Sequence, residues 1–271
     1  MKAGIEMILI QRVNPSKELA KLLEEINNSD DWINIDPSDT KAMRKAFSDA
    51  SRIRALTQAE LFSAQHGLCA YCMAEISLKP TKEKEKNEKI KIEHYIPLSK
   101  EKNHVFDFNN YFLVCSGGDH EDYKNSKESL SCDSKKKEKS MIVDPTNPEH
   151  IKCMFYQDDG MIKFNNQADK ELTKKITNDL NITLGLNGSF YMNGNNNKHD
   201  TRTKLVERRK EAYHQAFDVI TDLKDNQQFT KNILERLIEK EEVNPHEFSG
   251  VILFVYRTIL KSCIHQKSGI K

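Results

Sequence analysis

Two separated pairs of cysteines constrain this chain more than any other feature. Cys69 and Cys72 stand two residues apart, the spacing at which two thiolates share one zinc, and a structural site needs two further ligands to close the tetrahedron. Cys115 and Cys132 are the natural second pair. The same Cys-x-x-Cys spacing serves redox chemistry, but that use expects a strand-to-helix turn in a thioredoxin-like βαβ unit. Here the pair follows a helical segment and precedes a Lys- and Glu-dominated stretch, so zinc is the expected use. Sixteen residues separate Cys115 from Cys132, where an ordinary knuckle has two. His120 inside that insertion is the alternative fourth ligand. Cys153 and Cys263 sit among apolar neighbours and read as buried core thiols.

The rest of the composition narrows the class. Lys and Arg number 42 against 41 Asp and Glu, so no global field points at nucleic acid and any attraction to phosphate must be local. No apolar run approaches the roughly 18 residues of a membrane helix, and residues 1–12 lack the apolar stretch of a secretory leader. A cytoplasmic, membrane-free location is expected. In that reducing setting six cysteines point to metal ligation or burial rather than to disulfides.

Periodicity supplies the elements. Residues 16–28 carry Leu19, Leu22, Leu23 and Ile26 on one helical face behind Ser16 as cap. Residues 40–54 resume that period through Met43, Phe47 and Ile53. Thr57 and Glu60 then have the form of a capping box opening a helix that Gly67 ends. Residues 79–91 read as a solvated loop. Ile90 and Ile92 alternate with Lys91 as in a short strand, and residues 111–114 give a second. A short basic helix is expected after Cys132, and a hairpin over residues 154–164 turns at Asp159-Gly160. Residues 168–180, 201–223, 230–241 and 246–264 read as helices. In the second of these segments, Leu205, Tyr213, Phe217, Ile220 and Leu223 form the apolar side, with Arg208 and Arg209 outside it.

Between the cysteine pairs lies Ile92-Glu93-His94-Tyr95-Ile96-Pro97, a carboxylate beside an imidazole. Phosphodiester cleavage needs a nucleophile activated by a base and a cation that stabilises the leaving oxygen. Glu93 and Asp133 supply hard oxygen ligands suited to Mg2+ or Mn2+. Asn110 can hydrogen-bond across the strand pair and hold the imidazole or a nearby loop, and Lys135 and Lys136 would reach phosphate. Neighbouring strand residues point to opposite faces, so Glu93 and His94 share a site only where the strand bends. Each residue alone has an ordinary reading: a surface histidine, a turn asparagine, a solvated run of lysines. The order of the whole set between two cysteine pairs gives it weight.

Cys69-x-x-Cys72, Glu93-His94-x-x-Pro97, Asn110-Tyr111 running to Cys115, and Cys132-Asp133-x-x-Lys136 resemble the zinc-bearing HNH endonucleases. Leu68-Cys69-Ala70-Tyr71-Cys72 with Ile92-Glu93-His94 is more narrowly similar to the PtuB branch, the nuclease partner of the PtuA ATPase in Septu and some retron antiphage systems. The resemblance covers roughly residues 55–165. It implies an α+β, mostly α fold with a small ββα-metal core and a zinc site of four cysteines. That nuclease core (55–165) would be flanked by an N-terminal helical segment (1–54) and a C-terminal helical support or docking region (166–271). It implies His94 as general base, Asn110 as its orienting residue, and Glu93 and Asp133 around a catalytic Mg2+ or Mn2+. Cys69, Cys72, Cys115 and Cys132 would hold a structural zinc. The implied partners are nucleic acid, DNA or tRNA, and an ABC-type ATPase. Asp133 stands where the family usually has Asn, and Glu93 where it often has Asp. The rival expectation is a zinc-ribbon module that binds nucleic acid or protein without cutting.

Overall fold

The computed structural model describes residues 9–78, 90–119, 128–190 and 199–268. The chain is α+β and mostly helical, and its described residues form two small antiparallel sheets. Most of the expected loop at 79–91, and His120, lie outside the described residues.

Four helices come first: α1 (Lys17–Asn27), α2 (Asp30–Ile33), α3 (Thr40–Asp49) and α4 (Ser51–Ala64). The Ser16 hydroxyl caps α1 by accepting the Leu19 N–H at 3.2 Å. Two expectations for this region fail. The helix expected over 40–54 breaks at Ala50, whose ψ of 56° leaves the helical range, and the helix expected to start at Thr57 already runs from Ser51. Ile53, Thr57 and Leu61 recur every four residues and are all buried, so packing of that face overrides the local cap signature. Glu60 instead accepts the Ser16 N–H at 3.0 Å, which ties α4 to the start of α1.

Gly67 ends this layer. Its φ of +70° is a left-handed conformation that glycine adopts without strain, and its N–H closes on Phe62 O at 2.9 Å. The chain then enters the Cys69 turn. Beyond it, β1 (Lys91–His94) pairs antiparallel with β2 (Tyr111–Val114), Glu93 opposite Phe112 and His94 opposite Tyr111. All four β2 residues are buried, because both faces of the strand are covered. The short helix α5 (Cys132–Lys136) follows.

The remaining elements support this centre. After α6 (Pro148–Ile151), β3 (Met154–Tyr156) and β4 (Ile162–Phe164) form the second hairpin. Gly160 at its turn faces α8, where a Cβ would lie 2.0 Å from Val206 O. Helix α7 (Lys170–Asn178) runs into a π-turn at Asp179–Thr183. The last helices are α8 (Leu205–Asp225), α9 (Lys231–Val243) and α10 (Ser249–Ser268). Asp200 and Thr201 cap α8, the Asp200 carboxylate accepting the N–H groups of Val206 and Glu207. Two residues of α8 depart from the expected faces. Phe217 is 49% exposed. Arg209 is 1% exposed, its guanidinium donating to Gly160 O, Leu186 O and Asn187 Oδ1. A helix wedged between a hairpin and a loop can bury a cation where backbone carbonyls converge on it.

One apolar core joins Leu19 and Leu61 to Phe112, Met154, Ile176 and Val251. It spans all three expected regions, and α4 itself crosses the 54/55 boundary. A smaller core of Ala216, Ile220, Leu234, Ile238 and Leu253 holds α8, α9 and α10 together. Among the described residues, no helix is long and apolar enough to cross a membrane.

Candidate metal centre and cleft

The four predicted cysteines meet. Cys69, Cys72, Cys115 and Cys132 are all buried, and their Sγ atoms lie within 4.8 Å of one another. Cys69 Sγ is 3.9 Å from Cys132 Sγ, and Cys72 Sγ is 3.7 Å from Cys115 Sγ. Tetrahedral ligands about 2.3 Å from one ion stand close to these separations. Hydrogen bonding to Cys115 pushes the Cys72 and Cys132 thiols up. Against the effect of burial, hydrogen bonds from the neighbouring thiols instead hold the Cys69 thiol down, so the group shares its protons unevenly until a cation displaces them. The group can hold a metal ion.

Local backbone geometry builds the centre. Met73 takes a φ of 59° and its N–H bonds Cys69 O at 2.9 Å, closing the knuckle turn. Gln65, 4% exposed, clamps this turn to β2: its amide donates to Leu68 O and Leu113 O and accepts the Leu113 N–H. The insertion between Cys115 and Cys132 is pinched at its base, where Ser131 N–H donates to Gly117 O at 3.0 Å. A Cβ on Gly117 would lie 1.9 Å from Ser131 O. The described ends of the insertion thus meet without parting the second cysteine pair.

Beside the metal centre, β1, α5 and the N-terminal helices line a cleft of about 640 Å³ that contains Glu93, His94 and Asp133. His94 is 6% exposed. Its Nε2 lies 3.0 Å from Val105 O. A carbonyl can only accept, so Nε2 carries the proton and Nδ1 keeps the basic lone pair. Burial holds the His94 pKa down to about 4, which keeps the ring neutral near pH 7. Phe47 and Tyr111 pack edge-on against the ring at centroid distances of 4.6 and 5.0 Å.

Asn110 acts one step away. It is 4% exposed, donates to Ile96 O and His104 O, and accepts the Ile96 N–H at 2.7 Å. These bonds fasten the loop that carries Val105, and Val105 O in turn fixes the imidazole. Tyr111 Oη donates to the same oxygen at 2.5 Å.

Glu93 lies 5% exposed beneath the cleft. Burial pushes its pKa up to about 8 against the Lys136 charge, and neighbouring Asp133 adds to the rise. Tyr71, from the middle of the knuckle, donates its hydroxyl to Glu93 Oε1 at 3.2 Å. Asp133 pairs with Lys91 at 3.2 Å, and Lys91 also donates to Ser134 Oγ at 2.8 Å. Apart from the cysteines, no three His, Asp or Glu ligand atoms cluster among the described residues. The cleft thus offers two neighbouring carboxylates rather than a ready three-ligand set.

The lysines depart from expectation. Lys136 was expected to reach phosphate, but it is fully buried, 2.5 Å from Glu93 Oε1 and 3.1 Å from His94 O. Helical phase turns it inward beside Cys132, four residues earlier. Lys135 lies along Gly185, while the residue of this run that lines the cleft is Lys137. Sequence reasoning also missed Arg44, Phe47 and Arg54, which α3 and α4 add to the cleft wall. The one sequence signal is Arg44 a turn before Phe47 on a helix read from its period alone.

No protein-family model matches the chain, and a search of curated proteins finds no match.

Proposed function

We propose that the chain is a metal-dependent endonuclease of the zinc-bearing HNH kind, with β1, β2 and α5 as its ββα-metal core. The observation that carries this reading is the polarised imidazole of His94. Its Nε2 is satisfied by Val105 O while Asp133 and Glu93 line the same cleft. The four cysteines fit a structural Zn2+, with sulfur ligands at tetrahedral spacing. Glu93 and Asp133 fit Mg2+ or Mn2+, which one or two carboxylates hold while waters and substrate phosphate complete the shell. A cation held there supplies charge to the leaving oxygen.

His94 Nδ1 takes a proton from water as the water oxygen bonds to phosphorus and the bond to the leaving nucleoside oxygen breaks. The Nε2–H bond to Val105 O steadies the imidazolium that forms. Asn110 and Tyr111 keep that carbonyl in place. Tyr71 links the metal centre to Glu93, so the knuckle sets the position of one cleft wall. The even net charge of the chain suits weak free-standing affinity for nucleic acid. Cutting of DNA or RNA would then be gated by an ABC-type ATPase partner in antiphage defence.

One observation favours the rival module that binds without cutting. Lys136 and Lys91 already neutralise Glu93 and Asp133, so a cation must compete with two ammonium groups. His94→Ala separates the readings. The nuclease reading expects zinc content near wild type, a lowered but still cooperative melt because the buried ring is removed, and loss of Mg2+- or Mn2+-dependent cleavage in the presence of the ATPase at temperatures where the variant is folded. Cleavage that survives the substitution sinks it. Elemental analysis should find one zinc per chain, lost with stability in Cys132→Ser, because a structural zinc contributes on the order of 10 kcal/mol to folding. The ATPase should co-purify, and full activity of the chain alone argues against gating.

A further inference from the structure

Resting on the nuclease reading and deepening it, we propose that Arg44 is the side chain that grips substrate phosphate, and that Glu138 is its built-in competitor. Arg44 and Phe47 stand three residues apart on α3, so they share a helical face. The Phe47 ring meets His94 at 4.6 Å, and this places the Arg44 guanidinium on the imidazole side of the cleft that both residues line. A phosphate entering the cleft beside His94 would come within reach of this guanidinium.

What holds Arg44 is exchangeable. Its Nη2 pairs with Glu138 Oε1, and Glu138 Oε2 accepts the Ser99 hydroxyl at 2.7 Å. The carboxylate is thus held from two sides in the position a phosphate oxygen would take. A guanidinium fork recognises carboxylate and phosphate with the same geometry. Of the other cleft cations, Arg54 donates to Ser48 O and Lys91 binds Ser134 and Asp133, while Lys137 is exposed at the α5 end of the cleft, away from α3 in sequence. The Arg44 and Glu138 side chains are 52% and 40% exposed. Solvent screens such a pair, so a strand of many phosphates can displace Glu138. The competitor sets the threshold for binding.

Binding of short single-stranded and duplex DNA across a salt series, in chains carrying His94→Ala to prevent cleavage, tests this. Arg44→Gln should weaken binding about tenfold and reduce the salt slope by about 1. Arg44→Lys should fall between the two, and because the side chain is half exposed both variants should melt like the parent. Glu138→Gln should tighten binding about threefold, an effect that Arg44→Gln abolishes in the double variant. Unchanged affinity and slope in Arg44→Gln overturns the proposal. So does a gain from Glu138→Gln that persists without Arg44, which would be a general charge effect. Cleavage by the wild-type chain in the presence of the ATPase reports on the nuclease reading separately. If it cleaves, and Arg44→Gln cleaves equally well at limiting substrate, the Arg44 assignment alone falls. If it cleaves nothing while Arg44 still governs binding, the nuclease reading alone falls.

Discussion

Lys136 Nζ lies 2.5 Å from Glu93 Oε1, and the lysine is completely buried. This pair joins α5 to β1 directly beneath the cleft. Lys136 also bonds His94 O at 3.1 Å, so one ammonium fixes both residues at the end of the strand.

Lys136→Met should therefore destabilise the fold by about 3 kcal/mol at neutral pH and by more as pH rises, because Glu93, its pKa already pushed up to about 8, loses its counter-charge and must stay protonated in the interior. Adding Glu93→Leu should recover part of that loss. Urea titrations of both variants measure it, and a single variant as stable as wild type would refute the pairing.

Gly117→Ala should cost on the order of 2 kcal/mol, since the position needs a φ of +60° and a Cβ would lie 1.9 Å from Ser131 O, a strain with no room for relief. The substitution should also lower metal content by parting Cys115 from Cys132. Metal analysis that matches wild type would show that the pinch is not needed to close the centre.

Removing the Asn110 side chain should orphan Ile96 N, Ile96 O and His104 O. Buried polar groups left unpaired cost about 1–3 kcal/mol each, so Asn110→Ala should lose at least about 3 kcal/mol in all. Amide hydrogen exchange should quicken at Ile96. Unchanged protection there would mean that other contacts hold the loop.

His150 gives a pH dependence. Its Nδ1 accepts the Asp144 N–H at 3.2 Å, and burial lowers its pKa. The unfolded chain takes up the proton first as pH falls below about 6.5, so native stability contributed by this residue is lost on acidification. His150→Gln lacks that titration. The stability gap between wild type and variant should narrow between about pH 7.5 and about pH 5.5; parallel urea midpoints across that range would contradict it.

Much of this was legible along the chain because it depends on near neighbours. Both pairs of expected strands formed, and α1, α7 and the three C-terminal helices lie close to the predicted segments, since apolar period and caps are local signals. The Cys69 and Cys72 pair could be read by type and spacing alone, while the sixteen residues before Cys132 left His120 as a rival until the fold brought the four cysteines together. Thr57 misled because its cap signature is local while the burial of Ile53, Thr57 and Leu61 is not. Arg209 misled for a similar reason, its partners Gly160 and Leu186 lying far away in sequence.

By itself the sequence determined two cysteine pairs able to share one centre, a Glu93-His94 step on a strand and the helices that follow from apolar period, while the α+β class came from the family resemblance. Only the tertiary structure decided which cations face the cleft. Helical phase and packing turned Lys136 inward to Glu93 and carried Arg44, from a helix some fifty residues earlier, to the side of His94. A charge gains its function from the field and the partners around it, and those are set by contacts between segments that the chain order does not record.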